Sequence, residues 1–227
     1  RGVVVGSTST FGKGTVQRTM ELDRMSWMLN PAETNDLGSL KMTIQKFYRI
    51  NGGSTQLNGV VPDVILPDQY EYLKMREKDE KTALPWDEIN PAIFTPWKNK
   101  YPLAEIVGNS QKRIAGNSVF SQLKFYVNKL EKFNNEKVYS LKMDIFKSEK
   151  KTMAASVKAM DTLLKLPTPL EIANLQEDMN RISKDSLKIE RNNQFLKVRK
   201  TDIHLGETVN IMNDMIRLSL LARKEEK

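Results

Sequence analysis

The 227-residue sequence predicts an α+β protein in which a small β-rich part precedes an α-helical one. Three observations carry that prediction. Residues 2–66 hold short apolar and alternating runs punctuated by glycine, residues 67–100 mix charges with two Pro-Trp pairs, and from Pro102 onward apolar residues recur at helical spacing. They divide the chain into a β-rich domain over 1–66, a connector over 67–100 and a helical domain over 101–227.

The first predicted element is Gly2 to Gly6, an apolar run short enough to be a strand buried on both faces, as in a parallel sheet. Thr15 to Leu22 follows as a second extended segment, and Asn30 to Asn35 reads as a loop. Leu40 to Ile50 sets Leu40, Met42 and Ile44 against Lys41, Thr43 and Gln45, the alternation of a half-buried strand. Asn51-Gly52-Gly53 turns the chain after it. Val60-Val61 and Val64-Ile65-Leu66, on either side of Pro62-Asp63, close the β-rich part.

In the connector, Arg76 to Lys81 predicts a helical turn, and Leu84-Pro85-Trp86 and Thr95-Pro96-Trp97 place two indoles for core filling. Leu103 to Ile114 predicts a helix stopped at Gly116. Ser118 to Phe133 predicts a second, with Val119, Leu123, Tyr126, Val127, Leu130 and Phe133 along one stripe. Ser140 is the expected N-cap of a long helix ending near Leu164, ahead of Pro167 and Pro169. Ile172, Leu175, Met179, Ile182, Ile189 and Leu196 follow a heptad-like spacing interrupted by Ser186 and Asn193. Packing within the protein's own bundle is the expected use of that spacing, and a coiled-coil seam for a partner is the alternative. Asp202 is placed to cap a last helix carrying Leu205, Val209, Met212, Ile216 and Leu220. Methionines 143, 153, 160, 179, 212 and 215 are expected as core gap-fillers.

The residues that carry chemistry stand near the start, in Thr10-Phe11-Gly12-Lys13-Gly14-Thr15-Val16-Gln17. A lysine serves as a general base when its ammonium is desolvated enough to lose its proton and a neighbouring hydrogen-bonding group aims it. Gln17 lies four residues on, a separation that leaves two side chains within about 40° of each other on a helix and on one face of a strand. Gly12 and Gly14 free the backbone on both sides for close approach of another segment.

Together with Leu37 to Ile50, Asn51-Gly52-Gly53-Ser54-Thr55-Gln56 and Asn58-Gly59-Val60-Val61-Pro62-Asp63, this motif resembles the tail-specific, or carboxy-terminal processing, serine proteases of bacterial envelopes. The resemblance covers roughly residues 2–66. It implies that Lys13 is the base that activates a serine nucleophile and that Gln17 orients Lys13. In the family that serine precedes the strand corresponding to Gly2 to Gly6, so the chain is expected to lack the nucleophile, the oxyanion donors near it and the PDZ domain that precedes them. Ser7 and Ser9 are expected to be loop residues, and these 227 residues alone are expected to be inactive as a peptidase. The implied reaction is acyl transfer at a peptide carbonyl near the C-terminal end of a protein substrate, with water releasing the acyl-enzyme. The helical region resembles the family's C-terminal extension more weakly, which implies that it helps enclose the substrate or contacts an adaptor protein; the family itself implies a periplasmic location, with contact at the periphery of the inner membrane as one option. A non-catalytic helical scaffold or adaptor-binding module is the alternative reading.

Composition narrows the rest. There is no cysteine, which removes disulfides and thiolate metal sites, and no cofactor is expected. The lone His204 cannot build a serine, histidine and aspartate triad here and is expected to pack or cap. Residues 111 onward carry the whole of the formal +8 charge. No aromatic residues alternate with the Lys197, Arg199 and Lys200 cluster, so nucleic acid is not expected, and solvated helix faces or a membrane-surface contact are.

Overall fold

A computed structural model describes residues 2–23, 37–95 and 101–225, with side chains followed as far as Ser219. The Asn30 to Asn35 loop and the second Pro-Trp pair lie outside the described residues. Among the described residues the elements are strands β1 (Val5–Gly6), β2 (Thr15–Glu21), β3 (Ser39–Lys46) and β4 (Val64–Ile65), then a 3-10 turn (Glu77–Asp79) and six helices bounded within them. These helices are α1 (Leu103–Gly116), α2 (Ser118–Asn135), α3 (Met143–Leu163), α4 (Gln176–Ile182), α5 (Ser186–Lys200) and α6 (Ile203–Glu225). The fold is α+β, as expected. Two compact units interleave along the chain, one of Arg1–Thr8, Pro62–Leu73 and Trp97–Lys227, the other of Ser9–Val61 and Lys74–Pro96.

In the first unit β1 and β4 pair in parallel, Val5 with Val64 and Gly6 with Ile65. The strand expected over Gly2 to Gly6 is therefore parallel but only two residues long. The Asp63 carboxylate accepts the Val4 N–H at 2.8 Å and fixes the register from just before β4. The core gathers Val64 and Leu66 with Ile106 and Ile114 of α1, Phe120, Leu123 and Leu130 of α2, Met160 of α3 and Ile203, Ile211 and Leu218 of α6. Each large side chain fully buried there contributes about 1.5–3 kcal/mol.

Helix α1 buries Ile106, Ser110 and Ile114, one residue per turn along one face. Asn117 joins it to α2, its backbone N–H donating to the Ile114 carbonyl while its side chain accepts the Val119 N–H at 2.9 Å. The expected α2 stripe is largely the buried one, with Phe120 added to it. Helix α3 starts at Met143, three residues after the expected cap: the Ser140 hydroxyl accepts the Lys142 N–H at 3.2 Å, before the first turn.

Two expectations for the last helices are corrected. The heptad-like run is not one seam, because the chain breaks at Ser183–Asp185 into α4 and α5, and the Asp185 side chain starts α5 afresh by accepting the Leu187 N–H at 2.9 Å. Neither helix buries a residue, and Leu175 is 72% exposed, so this spacing does not pack into the bundle. Asp202 does cap α6, accepting from His204 and Leu205 at 3.0 and 3.1 Å. The buried stripe of α6, however, is Ile203, Glu207, Ile211, Asp214 and Leu218, while Val209, Met212 and Ile216 are exposed. The cause is polar complementarity. Ser110 and Arg113 of α1 meet Glu207 and Asp214, so the face that carries the carboxylates turns inward. Of the six methionines, only Met160 is a fully buried gap-filler, with Met153 and Met215 half-buried at the core edge.

In the second unit β2 and β3 form an antiparallel hairpin running from Thr15 opposite Lys46 to Glu21 opposite Ser39. Gln45 faces Val16 and Thr43 faces Gln17, which leaves Ile44 as the extra residue of a bulge on β3. The half-buried strand is corrected here: Leu40, Met42 and Ile44 are 49%, 41% and 48% exposed. Alternation makes two chemically different faces, but burial needs a second layer, and among the described residues β2 and β3 form a sheet of two strands only. Trp86 is also no core residue; its indole N–H donates to the Ser54 carbonyl at 2.9 Å and the ring stays partly exposed.

Candidate functional site

The lysine motif lies in the second unit, where residues 10–14 run alongside residues 54–60. Thr10 and Val60 exchange two bonds, the Thr10 N–H donating to the Val60 carbonyl and the Thr10 hydroxyl accepting the Val60 N–H. The Phe11 carbonyl accepts the Glu77 N–H at 2.9 Å, and the Gly14 carbonyl accepts the Phe47 N–H at 3.0 Å. The peptide between Lys13 and Gly14 is bonded at both ends. The Thr55 hydroxyl donates to the Lys13 carbonyl at 3.2 Å, and Gln56 Oε1 accepts the Gly14 N–H at 2.9 Å.

The two glycines beside Lys13 answer to this packing. Gly12 has φ +97°, and a Cβ there would stand 2.6 Å from the Leu57 carbonyl oxygen. At Gly14 a Cβ would stand 2.4 Å from the Gln56 backbone nitrogen. Both positions require a residue without a side chain, the first for conformation as well as for space. Leu57 itself is held at φ 62°, a left-handed conformation rare for a branched side chain.

Lys13 and Gln17, the two residues the sequence singles out, are both exposed. Lys13 lies two residues before β2, and Gln17 lies within it opposite Thr43. Among the described residues, no hydrogen bond or ion pair joins their side chains and none engages the Lys13 amine. Strand alternation does not bring them together, because the strand begins only at Thr15. The contrast with Lys46 is informative. Its amine is half-buried, donates to the Pro85 carbonyl at 2.9 Å and pairs with Asp87 at 3.1 Å. The Tyr48 phenol shares that carboxylate at 3.2 Å, and its pKa is held above the ordinary value by desolvation first and by the Asp87 charge second. Lys46 is therefore committed to structure, whereas Lys13 has a fixed backbone and an uncommitted amine.

The serines follow the same division. Ser54, closest to the lysine turn, is buried, donates to the Phe47 carbonyl and accepts the Gln56 N–H, so its hydroxyl is structural. Ser9 donates to the carbonyl of Thr10. His204 lies in the other unit, where its Nε2 is 2.7 Å from the Pro67 carbonyl oxygen; a carbonyl only accepts, so Nε2 carries the proton. Its ring also packs near Phe120. Gln56, which sequence reasoning passed over, is the best-bonded side chain of the site. The one signal for it in the sequence is its place in the Ser54-Thr55-Gln56 run.

Two family models match the chain. The model described as C-terminal domain of tail specific protease matches residues 70–217, and the model of Peptidase family S41 matches residues 1–66. The chain is also similar to the tail-specific protease of Haemophilus influenzae, with 44% identity over 94 residues, which are 41% of this chain and 13% of that relative's length.

Proposed function

From the premise that the chain belongs to the tail-specific protease family, we propose that it is the lysine-bearing part of a serine endopeptidase that processes proteins from their C-terminal ends. In this reading neutral Lys13 accepts the proton of a serine hydroxyl supplied by a segment other than those described. The serine oxygen attacks a peptide carbonyl, the amine product leaves with a proton, and water then hydrolyses the acyl-enzyme. The observation that carries the reading is the pairing of a clamped backbone with a free amine at Lys13.

That combination suits a base awaiting its partner, since a lysine tied to a carboxylate, as Lys46 is to Asp87, already has its amine engaged. The desolvation that a lysine base needs would come with the segment bearing the serine and with bound substrate. Gln17 would then orient the amine within the assembled site. The bacterial envelope and an adaptor contact through the helical region complete the proposal.

The test is hydrolysis of a C-terminally tailed protein substrate by the full-length protease. Lys13→Ala is expected to lower kcat by about 10²–10⁴-fold, the usual worth of a general base, and Gln17→Ala to lower it less. Wild-type turnover by a folded Lys13→Ala protein would refute the assignment.

A further inference from the structure

We propose that Gln56 is a positioning residue for Lys13, acting with Thr55 through the peptide bond between Lys13 and Gly14. The inference rests on the reading of Lys13 as the base. The Lys13 carbonyl and the Gly14 N–H belong to one planar unit, so whatever holds both of them sets the orientation of that plane. Thr55 takes the oxygen at 3.2 Å and Gln56 takes the N–H at 2.9 Å. Rotating the plane, and with it the direction in which Lys13 leaves the backbone, would break both bonds together.

Gln56 is itself fixed. It is 0% exposed, and its Nε2 donates to Glu77 Oε1 at 2.9 Å and to the Leu84 carbonyl at 3.1 Å. Two acceptors on one side of the amide and a donor on the other leave a single allowed orientation, so Oε1 must face Gly14. The Ser54 hydroxyl accepts the Gln56 N–H at 3.1 Å and fixes its backbone. A relay thus runs from Glu77 and Leu84 through the Gln56 amide to the turn that carries Lys13. Buried amides are costly unless fully bonded, and this one meets that condition across 42 residues of sequence.

The experiment compares Gln56→Met, Gln56→Glu and the exchange Gln56→Glu with Glu77→Gln in the full-length protease, with Lys13→Ala alongside. For each protein kcat, KM and the pH profile are measured, with circular dichroism as the folding check. A misplaced base costs on the order of a hundredfold, so kcat of Gln56→Met should fall by about that factor while KM holds. Gln56→Glu sets two carboxylates against each other. Its kcat, taken as a fraction of the wild-type kcat at the same pH, should be low at neutral pH and rise toward acid, where the facing pair can share a proton. The exchange restores a donor at 77 and an acceptor at 56, and should regain most of the lost kcat.

Wild-type kcat and pH profile in folded Gln56→Met and Gln56→Glu, with Lys13→Ala inactive, would overturn the positioning role and leave the base assignment standing. Full activity in Lys13→Ala would overturn both. Should Gln56→Met not fold, the exchange decides: a folded exchange protein as slow as Gln56→Glu overturns the proposal.

Discussion

Replacing Arg113 by methionine tests how the helical unit is held together. Arg113 reaches from α1 to two carboxylates of α6: Nε is 3.0 Å from Glu207 Oε1, and Nη1 is 2.7 Å from Asp214 Oδ2. Nη2 approaches Glu207 Oε1 at 2.9 Å without hydrogen-bond alignment, so that contact is Coulombic alone. The Glu207 and Asp214 side chains are only 6% and 11% exposed, against 32% for Arg113. Burial acts to lower the Arg113 pKa, but hydrogen bonds and charge from the two acids outweigh it and hold the pKa above the ordinary value.

At an effective dielectric near 20, each pair at this distance attracts by about 6 kcal/mol, most of which offsets desolvation. What matters is the state left behind. Methionine keeps the bulk of the arginine stem but removes the cation shared by two buried carboxylates, leaving, among the described residues, Glu207 with Ser110 and Asn210 and Asp214 with Arg217 alone, and breaking a buried pair from one side costs about 3–5 kcal/mol. Because Arg113 is a third exposed, the lower end of that range, about 3 kcal/mol, is expected at pH 7. The assay is urea unfolding followed by far-ultraviolet circular dichroism, with hydrogen exchange of α1 and α6 amides locating the loss.

Adding Glu207→Gln and Asp214→Asn should restore part of the stability at neutral pH by removing the two buried charges. A folded Arg113→Met protein within about 0.5 kcal/mol of wild type, the range of ordinary surface substitutions, would refute the account of α6.

Two further outcomes follow from local geometry. Asp202→Ala should cost about 1 kcal/mol at neutral pH, the usual loss for an N-cap, as read from thermal unfolding. Burial tends to raise the Asp202 pKa, but the Leu205 N–H, Arg199 and the His204 N–H outweigh it and hold it below 3.8. Its contribution is therefore present above the unfolded value and lost as pH falls through the folded one, so the deficit of Asp202→Ala should vanish in acid. Gly14→Ala should destabilise by about 1–3 kcal/mol, an overpacking cost, because the added Cβ meets the backbone of Gln56. Protease nicking near residues 54–57 would report it, and a Gly14→Ala protein as resistant as wild type would show that the contact relaxes freely.

The sequence revealed helices better than it revealed burial. Helix α2 was legible because Leu123, Val127 and Leu130 recur on one face, a local signal. The stripe of α6 was misread because Glu207 and Asp214 look solvent-facing until Arg113, about a hundred residues earlier, supplies their charge. Period alone cannot weigh a polar face against an apolar one when the partner is that remote. The hairpin misled for the opposite reason: its alternation is real, and its exposure depends on what packs against it rather than on its own residues.

The site divides along the same line. Lys13 stands out in the sequence because Gly12, Gly14 and Gln17 all lie within four residues of it, whereas Gln56 carries its meaning only through contacts 42, 21 and 28 residues away. A lysine base must satisfy opposed demands: its amine has to stay free of carboxylates, and its direction has to be set. Bonds to the amine would meet the second demand by defeating the first. Bonds to the adjoining peptide meet both, because they restrain the backbone and leave the nitrogen untouched. Lys46, tied through its amine to Asp87 and Pro85, shows the other arrangement within the same unit, a lysine held in place by the amine itself.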